Sequence, residues 1–344
     1  MINRTDLDHI LENTHSLWDE MRGANLFITG GTGFFGKWLL ESLLWATERL
    51  DMNCRVTVLT RSPDRFKTIS PHLYNHQAVS VLRGDIRTFD FPPGTFTHII
   101  HAATESSAKL NAEDPLTMLD TIVEGTRHTL NFAKACGAKK ILFTSSGAVY
   151  GKQPPEMTHI PEEYTGAPDP LDPKSAYGEG KRVAEHLCAL YADNNLEIKI
   201  ARCFAFVGPY LPLDTHFAIG NFIRDAMNGG PIVIKGDGTS YRSYLYAVDL
   251  AIWLWTILLR GKSFHPYNVG SEKNSSIEET AQYVARCESR PIDIKIIGKP
   301  NPNLSIMRYV PSTARARMEL GLEQTVPLTE AIKRTILFYT EQTK

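Results

Sequence analysis

Short apolar segments alternate with amphipathic segments from Asn25 to Cys203. The apolar segments predict six strands, at 25–29, 54–61, 78–85, 97–103, 139–146 and 196–203. Amphipathic segments between them predict helices, among them 35–50 and 115–137, where Gly137 ends the second helix. Apolar strands that alternate with helices are typical of a parallel sheet covered on both faces. We therefore predict an α/β fold built on a doubly wound parallel sheet.

The pattern changes at both ends of this region. After Val207, Pro and Gly become frequent and the predicted strands become short. We expect residues 24–205 to form the first domain and residues 206–344 to form mainly a smaller mixed α/β lobe that binds substrate, with some segments returning to the first domain. Residues 1–23 contain an additional amphipathic helix, which we expect to serve packing or a dimer contact. Its apolar residues are Leu7, Ile10, Leu11, Leu17, Trp18 and Met21.

Composition narrows the class of protein. The chain has 344 residues, of which 42% are hydrophobic and 22% charged, with a net charge of -1. Its Lys and Arg residues are scattered, so we expect no nucleic-acid or membrane partner. The five cysteines form no CxxC pair, which indicates reduced thiols and no metal site. The N-terminus lacks the apolar core of a signal peptide, and the apolar run 250–259 is too short to span a bilayer. We expect a cytoplasmic protein.

A glycine-rich loop follows the first predicted strand. The sequence TGGTGFFG, residues 29–36, contains GxGxxG at Gly31, Gly33 and Gly36, and GxxGxxG from Gly30. Such a loop between a strand and a helix lets the backbone approach a pyrophosphate, and the helix N-terminus adds N–H groups. We predict a Rossmann-type dinucleotide site that uses Gly30, Gly33 and Gly36 together with Phe34 and Phe35.

The end of the second strand bears on the choice of dinucleotide. An acid that would hold a ribose 2′-hydroxyl is expected there, but the sequence has Arg61 and Ser62. Guanidinium pairs well with a 2′-phosphate. We therefore favour NADP(H), and NAD(H) remains open. Asp85, at the end of the third strand, is a candidate adenine contact, and Ile86 next to it is a candidate cofactor contact.

Tyr177 and Lys181 stand four residues apart at the start of a predicted helix. Residues at this spacing share a helical face, with Cβ atoms about 5–6 Å apart. A nearby cation favours the phenolate of a tyrosine, so the pair can form a proton-transfer site. The motif is weak when it occurs alone.

Several motifs together identify a family. TGGTGFFG, GDI, HAA at 101–103, TSSGAVYG and YGEGK occur in the order found in extended short-chain dehydrogenase/reductases, and the chain most resembles the nucleotide-sugar epimerases, dehydratases, 4-ketoreductases and decarboxylases. The resemblance implies that Ser146, Tyr177 and Lys181 are catalytic and that Ala102 and Ala103 contact the cofactor. It also implies that Lys181 lowers the pKa of Tyr177 and holds the nicotinamide ribose.

The loop after Ser146 limits the reaction. Related 4,6-dehydratases have an Asp-Glu pair there and decarboxylases a Glu, whereas this chain has Gly147 and Ala148. The resemblance therefore favours redox at C4 of a nucleotide-linked hexose. An NADPH-dependent 4-ketoreductase is our first interpretation, and a 4-epimerase that retains NAD(P) is the alternative. A dehydratase or a decarboxylase fits less well, although residues 162–185 are very similar to the UDP-glucuronate decarboxylases. Glu105 is a candidate catalytic or sugar-contacting carboxylate.

The same resemblance suggests contacts to the substrate. Asn221, Arg242 and Arg308 match residues that hold the nucleotide pyrophosphate, and Lys235 matches a residue beside the base. Three positions depart from the family pattern, namely Ile122, Ala205 and Ser312, so the hexose stays unnamed. A dinucleotide-sensing scaffold is the non-enzymatic alternative, but the intact Ser146, Tyr177 and Lys181 argue against it.

Two predicted helices, 116–135 and 176–193, have apolar side chains on more than one face, and surplus apolar surface must be buried. We expect a homodimer in which these helices form a four-helix bundle, as in the related epimerases. The apolar residues concerned are Leu116, Leu119, Val123, Leu130, Val183, Leu187, Leu190 and Tyr191.

Overall fold

The computed structural model of the chain describes residues 1–104, 108–191, 193, 195–215, 217–301 and 305–342. Its strands are β1 (Asn25–Thr29), β2 (Arg55–Thr60), β3 (Val79–Arg83), β4 (His98–His101), β5 (Lys140–Ser146), β6 (Glu197–Cys203), β7 (Phe206–Val207), β8 (Ile232–Ile234), β9 (Tyr241–Ser243), β10 (Leu245–Tyr246), β11 (Pro266–Val269), β12 (Asn274–Ser276), β13 (Ile294–Ile296) and β14 (Arg308–Tyr309).

Its α-helices are α1 (Arg4–Thr14), α2 (Phe34–Arg49), α3 (Pro63–Ile69), α4 (Pro71–Tyr74), α5 (Ala108–Glu113), α6 (Pro115–Ala135), α7 (Ala176–Tyr191), α8 (Ala218–Met227), α9 (Ala247–Arg260), α10 (Ile277–Cys287), α11 (Ala314–Leu320) and α12 (Leu328–Gln342). Short 3₁₀ turns lie at His15–Met21, Gly147–Tyr150 and Pro173–Ser175.

Within the described residues, seven parallel strands form the main sheet in the order β11-β6-β5-β4-β1-β2-β3. The doubly wound parallel sheet predicted from the apolar segments is confirmed. The chain winds outward from β1 through β2 and β3, and then crosses to β4 on the other side of β1. Ligands of such sheets bind where the strand order reverses, at the carboxyl ends. In this chain that point lies between β1 and β4.

Helices cover both faces of the sheet. On one face, α2 and α9 pack in the core with the N-terminal segment, and on the other face α6 and α7 pack side by side. The apolar run at 250–259 lies inside α9, and every residue of α9 except Arg260 is buried. No helix in the described part of the chain combines the length and apolarity needed to cross a membrane.

The N-terminal segment belongs to this core. The single helix predicted for residues 2–22 is instead the α-helix α1 followed by a 3₁₀ turn, because apolar spacing does not distinguish the two helix types. Trp18 is 1% exposed, and its ring centroid lies 5.1 Å from that of Trp255 in α9. Of the two roles expected for this segment, packing within the chain is the one observed.

Residues after Val207 contribute to more than one layer. β11 joins the edge of the main sheet beside β6, and α9 covers one face of that sheet. Two small sheets, β12-β9-β14 and β13-β8, lie among the remaining helices. The division of the chain after residue 205 stays a prediction.

Only some of the apolar side chains of α6 and α7 are exposed at the surface. Leu130 is completely buried and Leu187 is 5% exposed, and both lie in the core, so they do not belong to the surplus apolar surface of these helices. Leu116, Val183 and Leu190 are exposed by 72%, 41% and 65%. The number of apolar residues on a helix does not reveal which of them face the sheet.

Candidate active site

Ser146 is the last residue of β5, in the middle of the carboxyl edge of the sheet. Its side chain is buried, and its Oγ accepts a hydrogen bond of 3.1 Å from the backbone N–H of Ala148. This bond begins the 3₁₀ turn at 147–150 and fixes the hydroxyl at the strand end. The position is the one expected for a donor to a reacting oxygen.

Lys181 is buried at 2% exposure on the inner face of α7. Its Nζ donates to Thr104 Oγ1 and to the carbonyl oxygen of Thr144, both at 2.7 Å, and lies 4.8 Å from the Phe143 ring centroid. Desolvation lowers the pKa of the ammonium to about 8. The side chain therefore joins α7 to the ends of β4 and β5.

Tyr177 lies one turn before Lys181. Its backbone N–H donates to Asn111 Oδ1 at 2.9 Å, which fixes the start of α7. Desolvation raises the pKa of the phenol, and nearby Ser146 lowers it in part. That Lys181 lowers this pKa stays a prediction; its Nζ bonds Thr104 and Thr144 in this structure.

A second tyrosine reaches the same point from a distant part of the sequence. Tyr309 is on β14, and desolvation raises the pKa of its phenol, while nearby Ser146 lowers this pKa in part and nearby Tyr177 raises it. A Cβ added to Gly147 would lie 2.7 Å from Tyr309 Oη and 2.7 Å from Phe204 Cζ. Sequence reasoning missed Tyr309, although it directly follows Arg308, which was singled out.

A buried ion pair under these residues was also missed. Glu185, on α7, accepts a hydrogen bond of 2.5 Å from Ser145 Oγ. It also pairs with Arg202 of β6 through Nη2 at 2.7 Å and Nε at 3.0 Å. The pair joins the helix of Tyr177 to β6, and the bond from Ser145 joins the same helix to β5, the strand that ends at Ser146. The only sequence signal was a Glu four residues after Lys181.

The glycine loop packs closely against the neighbouring backbone, which only glycine allows at two of its positions. Gly30 has φ +73°, and a Cβ there would lie 2.5 Å from the carbonyl carbon and oxygen of Ala102. A Cβ on Gly36 would lie 2.3 Å from the carbonyl oxygen of Gly30. Gly33 is exposed and is the N-cap of α2, so its end of the helix faces outward. This close-packed loop at a helix N-terminus fits a dinucleotide pyrophosphate.

Other predicted cofactor residues surround this loop. Phe34 and Phe35 begin α2, with ring centroids 5.7 Å apart. Ala102 and Ala103 follow β4, and the N–H of Ala103 donates to Thr29 Oγ1 at 3.1 Å. All four lie beside the point where the strand order reverses.

The ends of β2 and β3 bring the remaining cofactor candidates together. Asp85 pairs with Arg87 through Nε at 2.9 Å, and this bond, with a smaller contribution from Arg61, lowers the pKa of the carboxyl. Arg61 and Ser62 are exposed, and Ile86 is buried. Arg87 is a cation that sequence reasoning did not consider.

The predicted substrate residues fall into two groups. Asn221 and Lys235 line a cavity of about 490 Å³ between α8, β8 and the start of α10. Arg242 and Arg308 lie on the adjacent strands β9 and β14, where Arg308 stacks 4.5 Å from the centroid of Tyr241 and Arg242 lies 5.8 Å from that of Tyr309. Glu105 lies outside the described residues. Among the residues described, no cluster of His, Cys, Asp and Glu could hold a metal ion.

The profile of the NAD dependent epimerase/dehydratase family matches residues 26–270. UDP-glucuronic acid decarboxylase 5 of Arabidopsis thaliana is 31% identical over 327 residues, which cover 94% of this chain and 90% of that protein. UDP-glucuronic acid decarboxylase 1 of Xenopus tropicalis is 29% identical over 92% of this chain and 72% of that protein.

Among solved structures, UDP-glucuronic acid 4-epimerase from Bacillus cereus, in complex with UDP-glucuronic acid and NAD, superposes with a TM-score of 0.77 at 20% identity, over 92% of this chain and 99% of that chain. The dTDP-glucose 4,6-dehydratase from Bacillus anthracis, in complex with NAD, has a TM-score of 0.76 at 20% identity, over 92% of this chain and 97% of that chain. These two likenesses concern the fold.

Proposed function

The chain belongs to the NAD dependent epimerase/dehydratase family, and on this premise we propose that it is an NADPH-dependent reductase of a nucleotide-diphosphate-linked 4-keto-hexose. The nucleotide sugar is the class of substrate named for its relatives. The reaction adds one hydride to the C4 carbonyl carbon and one proton to its oxygen.

The environment of Gly147 is the observation that carries this proposal. An acid after Ser146 would supply the extra proton transfer that elimination needs. Here the space beyond Gly147 is filled by Phe204 and Tyr309, whose atoms lie 2.7 Å from an added Cβ. A carboxylate side chain cannot enter without displacing both rings. The site therefore supports hydride transfer at one carbon better than elimination.

The catalytic residues have distinct tasks in this proposal. Tyr177 donates its proton to the C4 oxygen, and Ser146 holds that oxygen by a hydrogen bond while negative charge develops. Lys181, held by Thr104 and Thr144, binds the ribose next to the nicotinamide. Bound NADPH supplies the hydride.

The glycine loop would hold the dinucleotide pyrophosphate at the N-terminus of α2, and Arg61 with Ser62 would hold the 2′-phosphate. Arg61 is exposed at the end of β2, next to Asp85, where an approaching phosphate can reach its guanidinium. NADP(H) rather than NAD(H) is the cofactor we propose on this ground.

A second candidate is decarboxylation of UDP-glucuronate, which the named activity of the 31% identical relative favours. The glycine at 147 argues against it. The two reactions leave different products, since decarboxylation releases CO₂ and yields a pentose, whereas reduction retains every carbon atom.

We also propose that the chain forms a dimer through α6 and α7. Leu116, Val183 and Leu190 are exposed on these helices, and two copies that pair isologously would bury them. Since α7 begins with Tyr177 and Lys181, the same contact would stabilise the start of the catalytic helix.

The purified protein tests the proposal in two steps. The nucleotide released by denaturation is first identified by absorbance and mass, because an epimerase is expected to retain NAD(P) and a reductase to release it. The protein is then mixed with NADPH and nucleotide-linked 4-keto-hexoses, and NADPH absorbance is followed. Consumption of NADPH equal to the alcohol formed supports the proposal. Retained NAD with no net NADPH consumption, or release of CO₂ from UDP-glucuronate, contradicts it.

A further inference from the structure

Tyr309 places a second phenol at the end of β5, within the group formed by Ser146 and Tyr177. Ser146 lies close enough to both phenols to lower the pKa of each, and Tyr309 Oη lies 2.7 Å from the position of a Cβ on the next residue, Gly147. Three hydroxyl groups from β5, α7 and β14 therefore converge on one point. That point lies at the carboxyl edge of the sheet, where the proposed function puts the reacting carbon.

Several contacts hold Tyr309 in this position. Its ring packs against Phe204, with centroids 4.7 Å apart and planes inclined by 36°. The next residue, Val310, is buried, and its N–H donates to Gln153 Oε1 at 2.9 Å. Its carbonyl oxygen accepts from the N–H of Ile160 at 2.9 Å. The strand is thus held to residues 153–160, and the phenol is fixed before a ligand arrives, as an effective electrostatic group requires.

The phenol is a hydrogen-bond donor in this environment. Desolvation raises the pKa of Tyr309 far above its ordinary value, and nearby Ser146 offsets only part of this effect. A phenol that stays neutral keeps its proton and cannot serve as a base at neutral pH. It can still donate to an oxygen on which negative charge develops.

We propose that Tyr309 is a catalytic residue whose phenol donates a third hydrogen bond, beside those of Ser146 and Tyr177, to the oxygen on the reacting carbon. The inference rests on the proposed function. As hydride from the reduced nicotinamide bonds to the carbonyl carbon, the C=O π electrons move to the oxygen, which takes the proton of Tyr177. Tyr309 keeps its own proton throughout and stabilises the alkoxide until that transfer is complete.

The arrangement also links Tyr309 to the loop that lacks an acid. Tyr309 Oη and the edge of Phe204 occupy the space that a side chain at position 147 would need. In this chain a neutral donor therefore stands where an acid following Ser146 would project. Tyr309 would therefore both stabilise the alkoxide and exclude the chemistry that needs a carboxylate after Ser146.

Tyr309→Phe tests the inference, because it removes only Oη and keeps the ring against Phe204. Tyr267→Phe is the matched control, since it removes a buried phenol that donates to Glu319 Oε2 at 2.9 Å, away from Ser146. Both variants and the wild type are compared for kcat, KM, melting temperature and calorimetric binding of the nucleotide sugar. Tyr309→Ala is added as a variant that also removes the ring.

We expect Tyr309→Phe to lower kcat about 100-fold, which is typical for loss of one donor to an oxyanion. KM and the calorimetric Kd should change less than about threefold, and the melting temperature should stay within about 2 °C of the wild type. Tyr267→Phe should retain the kcat of the wild type. Full kcat in Tyr309→Phe, with loss only in Tyr309→Ala, would reduce Tyr309 to a packing role and overturn the inference.

The two proposals can fail separately. If the wild type does not reduce a 4-keto sugar, the proposed function fails, and the same comparison is made in whichever hydride-transfer reaction the wild type catalyses. The kcat of Tyr309→Phe relative to the wild type then decides the role of Tyr309 in that reaction.

Discussion

The ion pair between Glu185 and Arg202 is expected to be the largest single electrostatic contribution to the stability of the catalytic helix. Glu185→Gln keeps the volume of the side chain and removes its charge. Arg202 would then lose its partner while remaining bonded to Tyr150 Oη at 2.9 Å and to the carbonyl oxygen of Glu162 at 3.2 Å. Burial lowers the pKa of Arg202, and the bonds from Glu185 more than offset this effect and raise it. In the variant the guanidinium still stays charged, because the ordinary pKa of arginine is about 12 or higher.

The expected loss in the free energy of unfolding follows from the burial of the two side chains. The side chains of Arg202 and Glu185 are 14% and 13% exposed, and removal of one partner of a buried pair typically costs 3–5 kcal/mol. The remaining exposure and the residual hydrogen bonds of Gln place the expected loss near the lower end, at about 3 kcal/mol. The loss would be measured as the free energy of unfolding in urea, with the slope of the transition unchanged.

Asp64→Asn provides the control, because Asp64 pairs with Arg83 at 2.9 Å while the two side chains are 90% and 64% exposed. Its loss should be below about 0.5 kcal/mol, as for other surface pairs. A loss below about 1 kcal/mol for Glu185→Gln, equal to that of the control, would refute the claim that this pair stabilises the helix.

The remaining predictions concern chemistry and assembly. Tyr177→Phe should abolish turnover in a kinetic assay and leave calorimetric binding of the nucleotide sugar nearly unchanged; an active variant would contradict the mechanism. Arg61→Ala should weaken NADP(H) by about 1.5–3 kcal/mol and NAD(H) far less, whereas equal weakening would overturn the cofactor assignment. Desolvation lowers the pKa of Lys181 to about 8, so its charge is present below that pH and lost above it. We therefore expect kcat/KM to fall above about pH 8, and a profile that stays flat to about pH 10 would refute this. Light scattering of the wild type should give a mass of about 77 kDa, twice the 38.6 kDa of one chain. The double variant Leu116→Glu with Leu190→Glu should give about 39 kDa. A wild type with the smaller mass would exclude the dimer.

Local patterns were sufficient to predict the sheet and the dinucleotide loop. Strands of a doubly covered parallel sheet are rich in Val, Ile and Leu, so the segments that form β1 to β6 stand out in the sequence. The glycine loop is equally local, because it follows from a strand, a turn and a helix in succession, and Gly36 meets Gly30 and Gly31 within this unit. Strand ends differed from the prediction by one or two residues, as fraying ends do.

Contacts between distant segments could not be predicted in this way. Tyr309 reaches Ser146 only because β14 pairs with β9 and is held by residues 153–160. The direction of Lys181 is decided by the acceptors on Thr104 and Thr144, which belong to other strands. Spacing along one helix shows that Lys181 and Tyr177 share a face, but it does not show which neighbour each side chain will bond.

Transfer of a labelled hydride tests the central claim most directly. The protein is incubated with a nucleotide-linked 4-keto-hexose and NADPH that carries deuterium on the transferred position of its nicotinamide, and the product is analysed by mass spectrometry and NMR. The account predicts a product with one deuterium, located at C4, and one NADP⁺ for each molecule of product. A product without deuterium, or formation of product with no NADP⁺ released, would contradict it.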